Sequence, residues 1–152
     1  MPPRMRDASN EAQLPPEGRR RAVIEGIAPQ VDGGRFAIKR IVGDRVEVEA
    51  DCFADGHDVL ACRLRHRRED DAKWMESPMV VLGNDRWRGD FVVPEIGRYR
   101  YTVAAWVDAF LSWRHDFERR VEADDLRVAA QVGADIVVRT ARRARGDDRR
   151  QL

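Results

Sequence analysis

Apolar and polar residues alternate along most of the chain between Arg21 and Val107. Side chains of an extended chain point to opposite faces in turn, so this period of two predicts half-buried strands. Val46, Val48, Ala50 and Cys52 fall on one face of Arg45 to Phe53, with Glu47, Glu49 and Asp51 on the other. Trp87, Gly89, Phe91 and Val93 oppose Arg86, Arg88 and Asp90, and Tyr99, Tyr101, Val103, Ala105 and Val107 oppose Arg98, Arg100 and Thr102. Arg21 to Ile27, Val59 to His66 (Leu60, Cys62 and Leu64 inward) and Trp74 to Leu82 add three more strands, and Arg35 to Val42 reads as a short extended segment. Pro78 marks an edge or a bulge. Asn84-Asp85 and Pro94 to Gly97 supply turn chemistry, so Pro78 to Val107 reads as three strands of one antiparallel sheet. About seven strands, each with one apolar face, require a second layer, which predicts an immunoglobulin-like antiparallel β-sandwich.

The period changes after Val107. Asp108 or Ser112 can cap a helix carrying Trp113, Phe117 and Val121. Asp124 reads as the N-cap of a second helix, with Leu126, Ala129, Ala130, Gly133, Ile136, Val137 and Thr140 on one face. Gly133 on a packed face permits close helix approach. The organisation expected is therefore a disordered tail over 1–20, a sandwich over 21–110 and a helical segment over 111–152.

Composition changes the picture little. The chain has 152 residues, enough for one core, with 43% hydrophobic and 36% charged residues. A formal net charge of +1 does not announce a polyanionic partner. The Arg-rich stretch from Arg139 to Arg150 is interrupted by Asp147 and Asp148 and lacks aromatics, which fits a solvated helix face and no nucleic acid. No apolar run has membrane-spanning length and no signal-peptide pattern is present, so the expected compartment is the cytoplasm.

Candidate chemistry is sparse. Cys52 and Cys62 flank the turn Asp55-Gly56-His57-Asp58. In a simple hairpin they would lie nearly opposite, so a disulfide is conceivable; reducing conditions favour two buried thiols. His57, Cys62 and His66 lack the spacing of a metal site. Ser9, Ser77 and Ser112 sit in no nucleophile elbow, Gly33-Gly34 forms no phosphate cradle, and the carboxylates alternate with arginines on solvent faces. No catalytic residue, metal ligand or cofactor is therefore assigned. Four Trp within about forty residues raise a carbohydrate reading, since an exposed indole on a sandwich face can stack on a pyranose ring. Trp87 belongs to the inward set. Trp106 breaks the pattern, and its simplest partner is the following helix through Phe110 and Trp113. Trp74 is the better candidate for exposure. Trp74, Trp106 and Trp113 are thus the candidate carbohydrate or interface contacts.

The blocks RAVIEGIAPQVDGGRFAIKRIVGDRVEVEADCFADGHD (Arg21 to Asp58), LGNDRWRGDF (Leu82 to Phe91) and GRYRYTVAAWVDAFLSWRHDFERR (Gly97 to Arg120) resemble the N-terminal region of bacterial α-1,4-glucan:maltose-1-phosphate maltosyltransferases, of the α-amylase superfamily. The resemblance runs from Arg21 to about Gly146. It implies an immunoglobulin-like sandwich into which a helical bundle is inserted, together building much of a homodimer contact. It also implies a whole enzyme that transfers maltosyl units from maltose 1-phosphate to an α-1,4-glucan in glycogen-like polymer synthesis. Its carboxylate nucleophile and acid/base lie on a (β/α)8 barrel of about 250 residues further along the chain. Leu152 ends the sequence before such a barrel, so the expectation is a non-catalytic structural or dimerisation module. Its partners would be a barrel of the same or a separately encoded protein, and a second copy. A stand-alone α-glucan-binding module, or a regulatory partner, is the alternative.

Overall fold

The computed structural model describes residues 22–144. The expected tail and the end of the Arg-rich stretch lie outside them. Seven strands are present: β1 (Ala22–Ala28), β2 (Arg45–Ala54), β3 (Leu60–Arg68), β4 (Met75–Pro78), β5 (Val80–Gly83), β6 (Arg86–Val92) and β7 (Tyr99–Val107). Two helices follow, α1 (Ala109–Glu118) and α2 (Ala123–Arg143). The strands form two antiparallel sheets, ordered β1-β2-β6-β5 and β4-β3-β7. This is the immunoglobulin order: A-B-E-D on one sheet, and C and F with an added C′ on the other. The strand that would flank β7, G, has no counterpart among the described residues.

The core lies where the alternation places it. Val46, Val48, Ala50 and Cys52 of β2 meet Cys62 and Leu64 of β3, Phe91 of β6 and Val103 of β7, with Val93 and Met79 closing the layer. Trp87 packs against it, its indole N–H donating to the Cys52 carbonyl at 3.3 Å.

Pairing departs from the linear reading in three places. First, β2 and β3 lie in opposite sheets, so Cys52 and Cys62 are not hairpin neighbours; they face each other through the core. Both are free thiols. Second, Trp74 to Leu82 is not one strand. Residues 75–78 pair with β3, Met79 turns inward, and 80–83 pair with β6, so the chain crosses between sheets at the sandwich edge. Pro78 therefore sits on an edge strand, as its missing N–H demands. Third, Pro94 to Gly97 joins strands of different sheets, so β6 and β7 do not pair. Alternation specifies which face a residue takes, not which strand lies beside it. The other turn holds: Asn84 and Asp85, both at positive φ (47° and 62°), make the two-residue primed turn of the β5–β6 hairpin.

The segment 35–42 is not a strand. It makes a single bridge, Val31 to Phe36, and Phe36, Ile41 and Val42 are exposed, with only Ile38 packed on the core. Gly43 and Asp44 pair with Val93, continuing the β2–β6 ladder.

In the helices, Asp108 caps α1, its carboxylate accepting from the Leu111 N–H at 2.9 Å. The boundary expected at 110/111 thus falls just inside α1. Ser112 is not the cap; its hydroxyl accepts from the Val59 N–H at 2.8 Å, tying α1 to the start of β3. Val121 lies past the end of α1 and is 89% exposed. Glu122, not Asp124, is the N-cap of α2; Asp124 and Asp125 stand in its first turn, at the positive end of the dipole. Gly133 and Ala129 are buried in the α1–α2 contact, and Ala130 and Thr140 are exposed. A Cβ on Gly133 would stand 2.2 Å from Trp113 Cζ2, so only glycine lets the helices close on that ring.

Candidate functional site

The alternation that buries Cys62 and Leu64 turns Ala61, Arg63, Arg65 and Arg67 outward, onto the exposed face of the β4-β3-β7 sheet. Register places Trp106 opposite Ala61, Ala104 opposite Arg63, Thr102 opposite Arg65 and Arg100 opposite Arg67. On the other side of β3, Pro78 is opposite Arg63 and Glu76 opposite Arg65. Trp74 precedes β4 and lies beneath two guanidinium groups, Arg67 at 4.9 Å and Arg65 at 5.5 Å from the ring. The face is a floor of small side chains (Ala61, Ala104, Thr102, Pro78) with an indole towards either end. Four residues of strand separate Arg65, which touches Trp74, from Ala61, which faces Trp106, or about 13 Å.

Most charges on this face are satisfied locally. Arg65 Nε lies 2.9 Å from Glu76, and Glu69 accepts from Arg100 at 3.1 and 2.5 Å. That pairing relieves the like-charge opposition of Arg67 and Arg100. It also holds the Glu69 carboxyl below the usual range, chiefly through the Arg100 hydrogen bond. Arg67 donates to the Asp71 carbonyl. Arg63 is exposed, and among the described residues no carboxylate pairs with it.

The outer face of the other sheet is a closed lattice of ion pairs. Glu49 accepts from Arg88 at 2.7 and 2.9 Å, Asp51 pairs with Arg86 at 2.9 Å and Asp90 with Arg45 at 2.8 Å. Ala28, Pro29, Arg40, Arg45, Glu47 and Glu49 line a shallow groove beside it. Two carboxylates share that groove, but acid/base chemistry on a glycosidic bond needs one of them kept protonated by burial. Glu47 is exposed and Glu49 is engaged by the Arg88 guanidinium.

Other titratable groups are structural. Among the described residues no three His, Cys, Asp or Glu gather at metal-binding distance. His66 stacks on Phe91 at 4.4 Å, and burial holds its imidazole below the ordinary value. The Cys62 thiol is pushed well up by its hydrogen bond with Cys52 and by burial, the reverse of what a nucleophile requires. No helix among the described residues is long and apolar enough to cross a membrane.

Of the three candidate tryptophans, the structure brings Trp74 and Trp106 onto one face and places Trp113 elsewhere. Trp106 is 42% exposed and makes no ring contact with α1, whose ring contacts run Phe110–Trp113–Phe117, at 5.4 and 5.1 Å. Trp74, expected to be the more exposed, is half-buried under its two arginines. Trp113 is half-buried between the helices and donates from its indole N–H to the Ala129 carbonyl at 2.7 Å. Arg63 escaped the sequence reading, although its place between the inward Cys62 and Leu64 fixed its face.

A family model for α-1,4-glucan:maltose-1-phosphate maltosyltransferase, domain N/S, matches residues 20–152. Relatives bearing the name α-1,4-glucan:maltose-1-phosphate maltosyltransferase include those of Chlorobaculum tepidum, 44% identical over 135 residues (88% of this chain, 20% of the relative), and Myxococcus xanthus, 45% over 127 (80% and 19%). The relative from Methylacidiphilum infernorum is 37% identical over 125 residues (82% and 19%). The chain thus spans about a fifth of the length of the curated relatives it matches.

Proposed function

The chain belongs to the α-1,4-glucan:maltose-1-phosphate maltosyltransferase family, and on that premise we propose that it is the non-catalytic architectural module of such an enzyme. The whole enzyme transfers maltosyl units from maltose 1-phosphate to α-1,4-glucan, in glycogen-like polymer synthesis in the cytoplasm. This part supplies a sandwich that packs on the catalytic barrel and a helical hairpin that contributes to a homodimer.

The observation that carries the reading is the match to domain N/S across 20–152, a fifth of the relatives' length. Two features support it. Among the described residues the outward carboxylates of the sheets are tied to arginines or open to water. The molecule also leaves surfaces that a larger protein would cover. Among the described residues no G strand flanks β7, and Val128, Val132 and Val138 of α2 are exposed. A two-helix hairpin has too few layers to bury both sides of its helices.

Co-expression tests the reading. The chain is produced with the Chlorobaculum tepidum relative from which the matching segment has been removed. A stable complex that regains maltosyl transfer is expected. A chain that never associates, beside a truncated relative that is fully active, would overturn the architectural role.

A further inference from the structure

We infer that the outer face of the β4-β3-β7 sheet is a binding surface for a neutral oligosaccharide, with Trp106 as its stacking platform and Arg63 as its hydroxyl-binding arm. Three observations lead there. Trp106 is the most exposed of the four tryptophans, 42% open to solvent, and its cross-strand neighbour is Ala61, too small to cover it. An indole left part-open on a rigid strand costs apolar exposure with no gain to the fold, whereas the other three tryptophans are each less exposed. Arg63 lies diagonal to Trp106 on the adjacent strand, a separation that long side chains and rings span. Between and beyond them Ala104, Thr102 and Pro78 form a low floor, so a flat ring can descend onto the sheet.

The charge pattern decides between a neutral and an anionic ligand. Arg65 and Arg100 are neutralised by Glu76 and Glu69, and Arg67 is occupied by the Asp71 carbonyl and the Trp74 ring. A polyanion groove would keep those cations free. One unengaged guanidinium beside an open indole instead suits a pyranose, whose C–H face stacks while its hydroxyls accept from Arg63. Trp74, covered by Arg65 and Arg67, closes the far end of the floor about 13 Å along the strands, a length that suits a short chain over a single sugar. The choice of an α-1,4-linked glucan rests on the family membership; the surface itself does not.

The 152-residue chain is run in native gels containing glycogen and titrated with maltoheptaose while Trp fluorescence is followed. A β-linked gluco-oligosaccharide and heparin serve as comparisons. Retardation by glycogen is expected, with Trp106→Ala weakening maltoheptaose binding roughly tenfold or more, as loss of a central Trp anchor does. Arg63→Ala should weaken it severalfold, while Val92→Thr on the opposite sheet leaves it unchanged. Since Trp106 and Arg63 are exposed, unchanged circular dichroism and melting separate lost binding from lost fold. Absence of glucan binding by the wild-type chain, binding indifferent to both substitutions, or tighter binding of heparin than of glycogen would each overturn the inference. None of these results bears on the architectural role, which complex formation tests separately.

Discussion

Replacing Gly133 with alanine reverses the usual effect of that substitution. In an unconstrained helix, alanine for glycine stabilises by about 1 kcal/mol, because glycine loses more backbone freedom. At Gly133 the new methyl would meet three atoms of the Trp113 ring, at 2.2, 2.4 and 2.7 Å. These are far inside van der Waals contact, so the ring or the helix must move. The ring is fixed on both sides by Phe110 and Phe117 and by its hydrogen bond to the Ala129 carbonyl. Overpacking of this kind costs about 1–3 kcal/mol and the lost hydrogen bond about 0.5–1.5, against about 1 gained in propensity. The net expectation is a hairpin weakened by about 1–3 kcal/mol. Amide hydrogen exchange of α2 is the assay, since it reports opening of the hairpin apart from the sandwich. Faster exchange throughout α2 is expected in Gly133→Ala. In a Trp113→Ala background the same change should slow exchange, because only propensity remains. Slower exchange in both backgrounds would refute the argument that the ring, and not the helix, dictates glycine.

Leu64 is fully buried between the sheets, so Leu64→Ala should lower unfolding free energy by about 2–5 kcal/mol in urea titrations, and a loss below about 1 would contradict its central place. His66 is held below its ordinary value by burial, so the unfolded chain takes up its proton first as the solution is acidified. Stability should therefore be complete above the unfolded value of about 6.5 and decline as pH falls from there towards the lower folded value. Urea midpoints at pH 7.5 and 5.5 should show that decline in the wild type and a smaller one in His66→Phe, which keeps a ring against Phe91; equal declines would assign it to other groups. Cys52 and Cys62 are both buried in the core, so Ellman's reagent should modify them only in denaturant. Rapid modification of the native chain would contradict their place in the core.

What the sequence disclosed follows from what each signal encodes. Val46, Val48, Ala50, Cys52, Cys62 and Leu64 could be placed in the core because alternation fixes a face by local geometry. The sandwich followed, since two sheets are how such faces are buried. Partnership is non-local, which is why Cys62 was matched to a hairpin and Trp74 to Leu82 to one strand; the crossing at Met79 has no local signature. Phe36, Ile41 and Val42 mislead because apolar content alone makes no ladder, and this segment forms only the Val31–Phe36 bridge. At the candidate site, Trp106 and Trp74 were visible as residue types, but their common face depended on the β3–β7 and β3–β4 registers. Arg63 had a readable face but no readable neighbour, because its pairing with Ala104 depends on the same register. Gly133 was legible because a helix-destabilising residue on an apolar face needs a reason in packing.

Phosphate release from maltose 1-phosphate in the presence of an α-glucan acceptor, measured on the purified 152-residue chain, tests the central claim most directly. A chain whose outward carboxylates are tied to arginines or open to water should release none above buffer. Sustained release that disappears on substituting Glu47 or Glu49 would place an active site on this sandwich and contradict the account.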